Sequence, residues 1–251
     1  MKNRRYIHRL PAAVLALGAV CLILRVGLYA FALDEKNLLL RGHPLQWLLW
    51  AVVFAAAGLI LIQVLGLNGS ARYEDNFSPS VAGTFGHFLL AAGIGVTVVT
   101  GEPGALGTLG AAWKILGFLS VPLLLWAGLR RLQGKMPSFL IHGILCVFLL
   151  THIMNQYQRW CGDPQLMNYI FPLLGAVMLA FFAYYTAAFE AGCGARRMHL
   201  GAGLLAVLFC TAALSPGEYP FLYLGGISWA LTDLCRLQPP PKEEETAYDI
   251  A

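Results

Sequence analysis

The sequence predicts an all-α fold: a polytopic integral membrane helical bundle of about eight transmembrane helices, with both termini cytoplasmic. Three observations predict it. The first is composition, because 58% of the 251 residues are hydrophobic and only 12% are charged, whereas a soluble domain carries about 25% charge. So little charged surface cannot cover so much apolar volume in water, which excludes an ordinary soluble enzyme or a soluble nucleic-acid binder. The second is that the apolar residues collect in runs near the roughly 20 residues that a bilayer-crossing helix needs. The third is the placement of Lys and Arg between those runs.

The first run, residues 10–32, follows Lys2, Arg4, Arg5 and Arg9. It exceeds the roughly 7–15 apolar residues of a signal peptide, and residues 30–33 make a poor cleavage site, so it reads as a retained span. Further spans are predicted at residues 45–67, 81–100, 109–129, 138–157, 166–189, 200–214 and 221–234. The last two are the shortest, and Pro216, Gly217 and Pro220 break the chain between them. The organisation is then a basic cytoplasmic N-terminus (1–9), an eight-span domain (10–235) and a short cytoplasmic Pro/Glu-rich tail (236–251). Pro239, Pro240 and Pro241 stop the last helix there, and the acidic stretch after them reads as solvated.

An inside N-terminus puts Lys2, Arg4, Arg5, Arg9, Arg72, Arg130, Arg131, Lys135, Arg196, Arg197, Arg236 and Lys242 on the cytoplasmic side. The opposite side receives Lys36, Arg41 and Arg159, and Arg25 and Lys114 fall inside spans. That asymmetry follows the rule that short Lys- and Arg-rich loops stay on the cytoplasmic face. The net charge of +4 is therefore a topology signal, not a nucleic-acid one. Cys21, Cys146 and Cys210 fall in spans, Cys193 and Cys235 at the cytoplasmic edge, and Cys161 alone faces outward, so no intrachain disulfide framework is expected. No local Cys or His spacing suits a metal, and neither metal nor cofactor is expected.

Polar groups inside the bilayer are the functional leads, since an ionised side chain there must pair, snorkel or line water. Arg25 lies about five residues past the middle of its span, about 7 Å from the midplane. Lys114, beside Trp113 near the outward start of its span, reaches the interface by snorkelling. At the outward end of the fifth span His152, Asn155, Gln156 and Arg159 stand at i, i+3, i+4 and i+7, one polar face turned to the protein interior or a water-filled cavity. The guanidinium fork and two amides on that face suit an anionic or polyhydroxylated solute. Arg25, Lys114, His152 and Arg159 together would make an electropositive outward vestibule if their helices meet, with Glu102, Asp163 and Glu218 as counter-charges.

In the inward half, His87 and His142 each neighbour glycine and read either as packed neutral rings or as a proton relay. Glu190 and Asp233 are expected to pair locally with Arg196, Arg197 and Arg236. Gly83, Gly86, Gly93 and Gly95 read as helix-packing positions, while Pro122 and Pro172 predict kinked spans.

These features point to a transporter or permease for a small polar or anionic solute, with Arg25, Lys114, His152, Asn155, Gln156 and Arg159 as substrate-binding residues and His87 and His142 as relay. One alternative is an accessory, assembly or sensing membrane protein without chemistry of its own. Another is an intramembrane enzyme acting on a lipid-linked substrate, although no nucleophile signature organises Ser120 or Ser228 and Asp233 has no acidic partner within a span. The expected partners are membrane lipids, a small anionic solute or lipid headgroup, or another membrane protein.

Overall fold

The computed structural model describes residues 2–33, 39–40, 42–65, 72–78, 80–101, 107–161, 169–215 and 218–238. Among them the elements are α1 (Lys2–Phe31), α2 (Pro44–Leu65), the single turn α3 (Tyr73–Asn76), α4 (Val81–Thr100), α5 (Gly107–Leu132), α6 (Phe139–Trp160), α7 (Ile170–Glu190), α8 (Arg196–Ala212) and α9 (Pro220–Leu234). Each of the eight predicted runs is a helix. Six of them, α1, α2, α4, α5, α6 and α7, are long and apolar enough to cross a membrane. The other two are the short ones expected: α8 has 17 residues and α9 has 15, or about 25 and 22 Å against a hydrocarbon core of about 30 Å. The basic N-terminal stretch is likewise helical from Lys2 and continuous with the first apolar run.

The two short helices lie innermost. Leu204, Val207, Leu208 and Cys210 of α8, and Tyr223, Trp229 and Ala230 of α9, are buried, whereas Trp47, Phe54 and Ile62 of α2, Phe85 of α4 and Leu140 of α6 are exposed. Large apolar groups on the outside are what a lipid solvent requires.

Successive long helices alternate in direction. Along the α4–α9 contact Gly83 lies beside Arg236, Gly86 beside Trp229, Gly225 beside Leu89 and Leu90, and Gly101 beside Tyr219, so the two run antiparallel. A Cβ on Gly225 would stand 2.8 Å from the Leu89 carbonyl oxygen and 2.9 Å from the Leu90 Cα. Glycine is required there because two backbones meet. Gly95 is different: the nearest atom to a Cβ there is Val121 Cγ2 at 3.7 Å.

One end of the bundle, here called inner, carries Arg131, Glu190, His199 and Asp233; the outer end carries Trp113, Arg159 and Tyr219. The α1 helix runs parallel to α8, with Gly18 against Thr211 and Arg25 against Ala212, so it also starts at the inner end. Residues 235–238 pack there as well. Phe77 and Leu237 form an isolated antiparallel bridge, and the Gln238 N–H donates to the Asn76 carbonyl at 2.8 Å. Both ends of the described chain thus lie at one end of the bundle, and the rest of the tail, 239–251, is outside the described residues. The expected kink at Pro172 is not required, because this residue falls in the first turn of α7, where no N–H is needed. Pro122 does lie inside α5, which continues through it.

Candidate functional site

The most organised polar cluster is at the inner end, and six helices build it. Arg131 of α5 is 1% exposed. Its guanidinium donates to Glu190 Oε1 of α7 at 3.2 Å and to Asp233 Oδ1 of α9. Asp233 also accepts from Arg236 at 3.0 Å, and its second oxygen lies 3.5 Å from His199 Nε2 of α8. The second oxygen of Glu190 lies 2.7 Å from His142 Nδ1 of α6. His142 Nε2 is 3.2 Å from His87 Nε2 of α4, and His87 Nδ1 is 2.7 Å from the Gly83 carbonyl. Trp229 closes the cluster, its ring stacked on His142 at 5.8 Å.

Hydrogen-bond chemistry fixes a proton count for this chain of groups. A carbonyl only accepts, so His87 Nδ1 carries a hydrogen. With His87 neutral, its Nε2 accepts and His142 Nε2 donates. A neutral His142 then presents a bare Nδ1 to Glu190, and two acceptors would face each other at 2.7 Å. Three hydrogen bonds in series need three protons, and two neutral imidazoles supply two. The third is held by Glu190, His142 or His87.

This cluster revises several sequence expectations. His87 and His142 do meet. Glu190 pairs with Arg131 and His142, not with Arg196 or Arg197, while the local Asp233–Arg236 pair is present. Asp233 does have an acidic neighbour: Arg131 bridges it to Glu190. Arg131, expected only as a loop charge, is the hub, and His199 and Tyr73 were not singled out. Sequence did hold one signal: Arg130 and Arg131 are adjacent, and neighbours on a helix face directions about 100° apart. The two arginines therefore point apart: Arg131 turns into the bundle, and Arg130 is half-buried.

A cavity of about 240 Å³ opens beside the hub, lined in part by Tyr73, Glu74, Arg131, Lys135 and Arg236. Three cations and one carboxylate make its wall electropositive.

The outer end holds the predicted stripe. His152, Asn155 and Gln156 are buried while Met154 is exposed, so the polar face of α6 turns inward. Tyr219, at φ 65° before Pro220, turns the chain into α9 and sets its ring 5.4 Å from His152. Trp113 of α5 lies 6.0 Å from His152 on another side. Arg159 donates to the Tyr219 hydroxyl at 2.6 Å and approaches Glu218 at 3.4 Å, as the expected counter-charge. Both ring nitrogens of His152, both side-chain polar atoms of Gln156, and Trp113 Nε1 are buried with no hydrogen-bond partner among the described residues. Such groups ordinarily mark ordered water or a ligand.

The outward vestibule is not assembled as one site. Arg25 belongs to another junction, between α1, α7 and α8, where it donates to the Ala212 carbonyl at the end of α8 and lies over the Phe171 ring at 5.0 Å. Lys114 is half-buried on α5. Glu102 and Asp163 lie outside the described residues. Leu90, Ile94, Leu124, Leu145 and Phe148, all buried, separate the outer polar group from the inner one. The ten-position spacing of His142 and His152 along α6 sets that separation at about 15 Å.

Comparison with known protein families, with curated proteins and with solved structures finds no match. The fold itself defines the class: among the described residues, an all-α bundle with six helices long and apolar enough to span a membrane, consistent with a multi-pass membrane protein.

Proposed function

We propose that the chain is a proton-coupled permease for a small anionic or polar solute, with its inner end and both termini on the cytoplasmic side of the cell membrane. The observation that carries this reading is the His87–His142–Glu190 series, buried in the bundle and holding one proton beyond what its neutral rings supply. Arg131 links that proton to the basic cavity, since an anion in the cavity competes with Glu190 and Asp233 for the guanidinium. Protonation of Glu190 frees Arg131 for the anion, which couples the two charges. His152, Asn155, Gln156 and Arg159 form the outer half of the solute path, with Lys114 at its rim. Arg25 attracts anions from the neighbouring junction. The inner end bears Arg72, Arg130, Lys135, Arg196 and Arg197 besides the hub, which supports its cytoplasmic orientation.

The test uses the purified chain in liposomes containing a pH-sensitive dye, with an inward proton gradient and phosphate, acetate or chloride outside. At least one anion accelerates internal acidification with the wild-type chain, and Glu190→Gln and His142→Gln remove the acceleration. If none of the anions does so with the wild-type chain, the reading fails.

A second reading, an accessory or assembly protein, is favoured by the mutual pairing of Arg131, Asp233, Glu190 and Arg236, which leaves no ion in that set needing a solute. It expects dye traces identical to protein-free liposomes. The enzymatic reading draws least support: among the described residues the lateral cleft between α2 and α7 has Tyr185 and Arg197 as its polar lining, with no carboxylate.

A further inference from the structure

We propose that the inner cavity beside Arg131 binds one small zwitterion, an α-amino acid with an apolar side chain, its carboxylate at Lys135 and its ammonium at Glu74. This names the solute class for the cavity of the proposed permease, and it rests on that reading for a part in transport but not for binding.

Local chain geometry builds the cavity wall. Helix α5 ends at Gly134, with φ 70°, where the Gly134 N–H donates to the Arg131 carbonyl at 3.1 Å and the Lys135 N–H to the Arg130 carbonyl at 2.9 Å. This pair of bonds closes a helix at a left-handed glycine, and it sets Lys135 and Met136 beside Arg131 on the cavity wall. Another part of the wall is the α3 turn with Phe77. That turn is anchored by the Tyr73 hydroxyl, which accepts from Arg236 at 3.0 Å, and by the Phe77–Leu237 bridge. The anchoring presents Glu74 to the same cavity.

Charge selects the ligand. Arg131 and Arg236 line the cavity but are engaged: Arg131 holds Glu190 and Asp233, and Arg236 holds Asp233, the Ser78 carbonyl and the Tyr73 hydroxyl. Lys135 and Glu74 are exposed, and neither side chain has an ion pair or hydrogen bond among the described residues. One cation and one anion thus line one cavity without meeting each other. A ligand with only a carboxylate gains Lys135 but is repelled by Glu74, and a ligand with only an ammonium meets the reverse. A molecule bearing both groups satisfies both. Phe77 and Met136 give an apolar side chain its surface. The volume of about 240 Å³ lies below the roughly 300–1,000 Å³ of sites for drug-sized ligands, which limits the occupant to a small metabolite.

The experiment is titration calorimetry of the detergent-solubilised full chain at neutral pH with leucine, with isocaproate, which lacks the ammonium, and with isoamylamine, which lacks the carboxylate. Leucine binds about tenfold tighter than either fragment, the effect of one charge-assisted hydrogen bond. Glu74→Gln weakens leucine about tenfold and does not weaken isocaproate. Lys135→Gln weakens leucine and isocaproate alike and does not weaken isoamylamine, while Lys135→Arg keeps leucine binding. Both positions are exposed, so the variants retain the fold, as read by helicity. Absence of leucine binding by the wild-type chain overturns the proposal, as do equal affinities for leucine and either fragment, or leucine binding unchanged in both Gln variants. No membrane or proton gradient is present, so the result is independent of the liposome test: binding without acidification keeps this site and removes the permease reading, and acidification without binding does the reverse.

Discussion

Replacing Arg131 by methionine removes the hub of the inner cluster while keeping its apolar stem. Two carboxylates lose a partner in a place where neither Glu190 nor Asp233 has side-chain exposure to solvent. Removing one member of a buried pair costs about 3–5 kcal/mol. Here each carboxylate keeps another partner, Asp233 retaining Arg236 at 3.0 Å and Glu190 retaining His142 at 2.7 Å. The expected loss is therefore at the low end, about 3 kcal/mol. Adding Glu190→Gln to Arg131→Met removes the carboxylate left worst off, and the pair of substitutions recovers about 1 kcal/mol or more relative to additivity. Unfolding of the solubilised chain by increasing fractions of a denaturing detergent, followed by helicity, measures all four members of the cycle. Arg131→Met within about 0.5 kcal/mol of the wild-type chain, or strict additivity of the two substitutions, would falsify the argument that the guanidinium is structurally coupled to Glu190.

Three further outcomes are expected. Gly225→Ala drives a methyl group into the backbone of Leu89 and Leu90 and costs about 1–3 kcal/mol, while Gly143→Ala, with nothing within 4 Å, is neutral or stabilising by up to about 1 kcal/mol; the same unfolding assay compares them, and equal effects count against a tight α4–α9 contact. Arg25→Met loses a charge-assisted hydrogen bond to the end of α8 and costs about 1.5 kcal/mol, whereas Lys114→Met stays within about 0.5 kcal/mol; the reverse order in thermal unfolding refutes the assignment. Gln156→Leu removes two polar atoms that have no partner among the described residues, so stability holds or rises while anion-driven acidification of liposomes falls; a stability loss above about 1 kcal/mol instead assigns Gln156 to helix packing.

Helix positions were legible in the sequence because apolar runs and their breakers are local signals. The inward face of α6 was legible for the same reason: eight consecutive residues of one helix hold the whole stripe. The inner cluster was not, since the hydrogen bonds that join its helices link residues 48 to 102 positions apart. Hydropathy gives no register between helices, so Arg131 counts equally well as a loop charge or a buried hub until α5, α7 and α9 are brought together. Glu190 and Asp233 were assigned to nearby arginines because only sequence neighbours are visible at that stage. Arg25 was legible as an anomaly but not in its role, because its acceptor is a backbone carbonyl on a helix 187 positions away.

The short inner helices explain why polar groups collect at two depths. A helix of 15 residues is about 22 Å long, so with about 30 Å of hydrocarbon around it at least one end of α9 lies at membrane depth. Unsatisfied N–H and C=O groups at such an end cannot face lipid and must meet protein or water. Tyr219, Glu218 and Arg159 gather at the start of α9, Asp233 and Arg236 at its finish, and Arg25 at the end of the 17-residue α8. Surrounding helices bring the remaining partners, and the apolar middle formed by Leu90, Ile94, Leu124, Leu145 and Phe148 keeps the two polar levels apart. Helices that stop within the membrane also make ion and solute sites in transporters, because their ends present oriented dipoles in a low-dielectric setting. The same shortness thus accounts for the structural pairing seen at each end and for the ionisable chemistry available to a solute there.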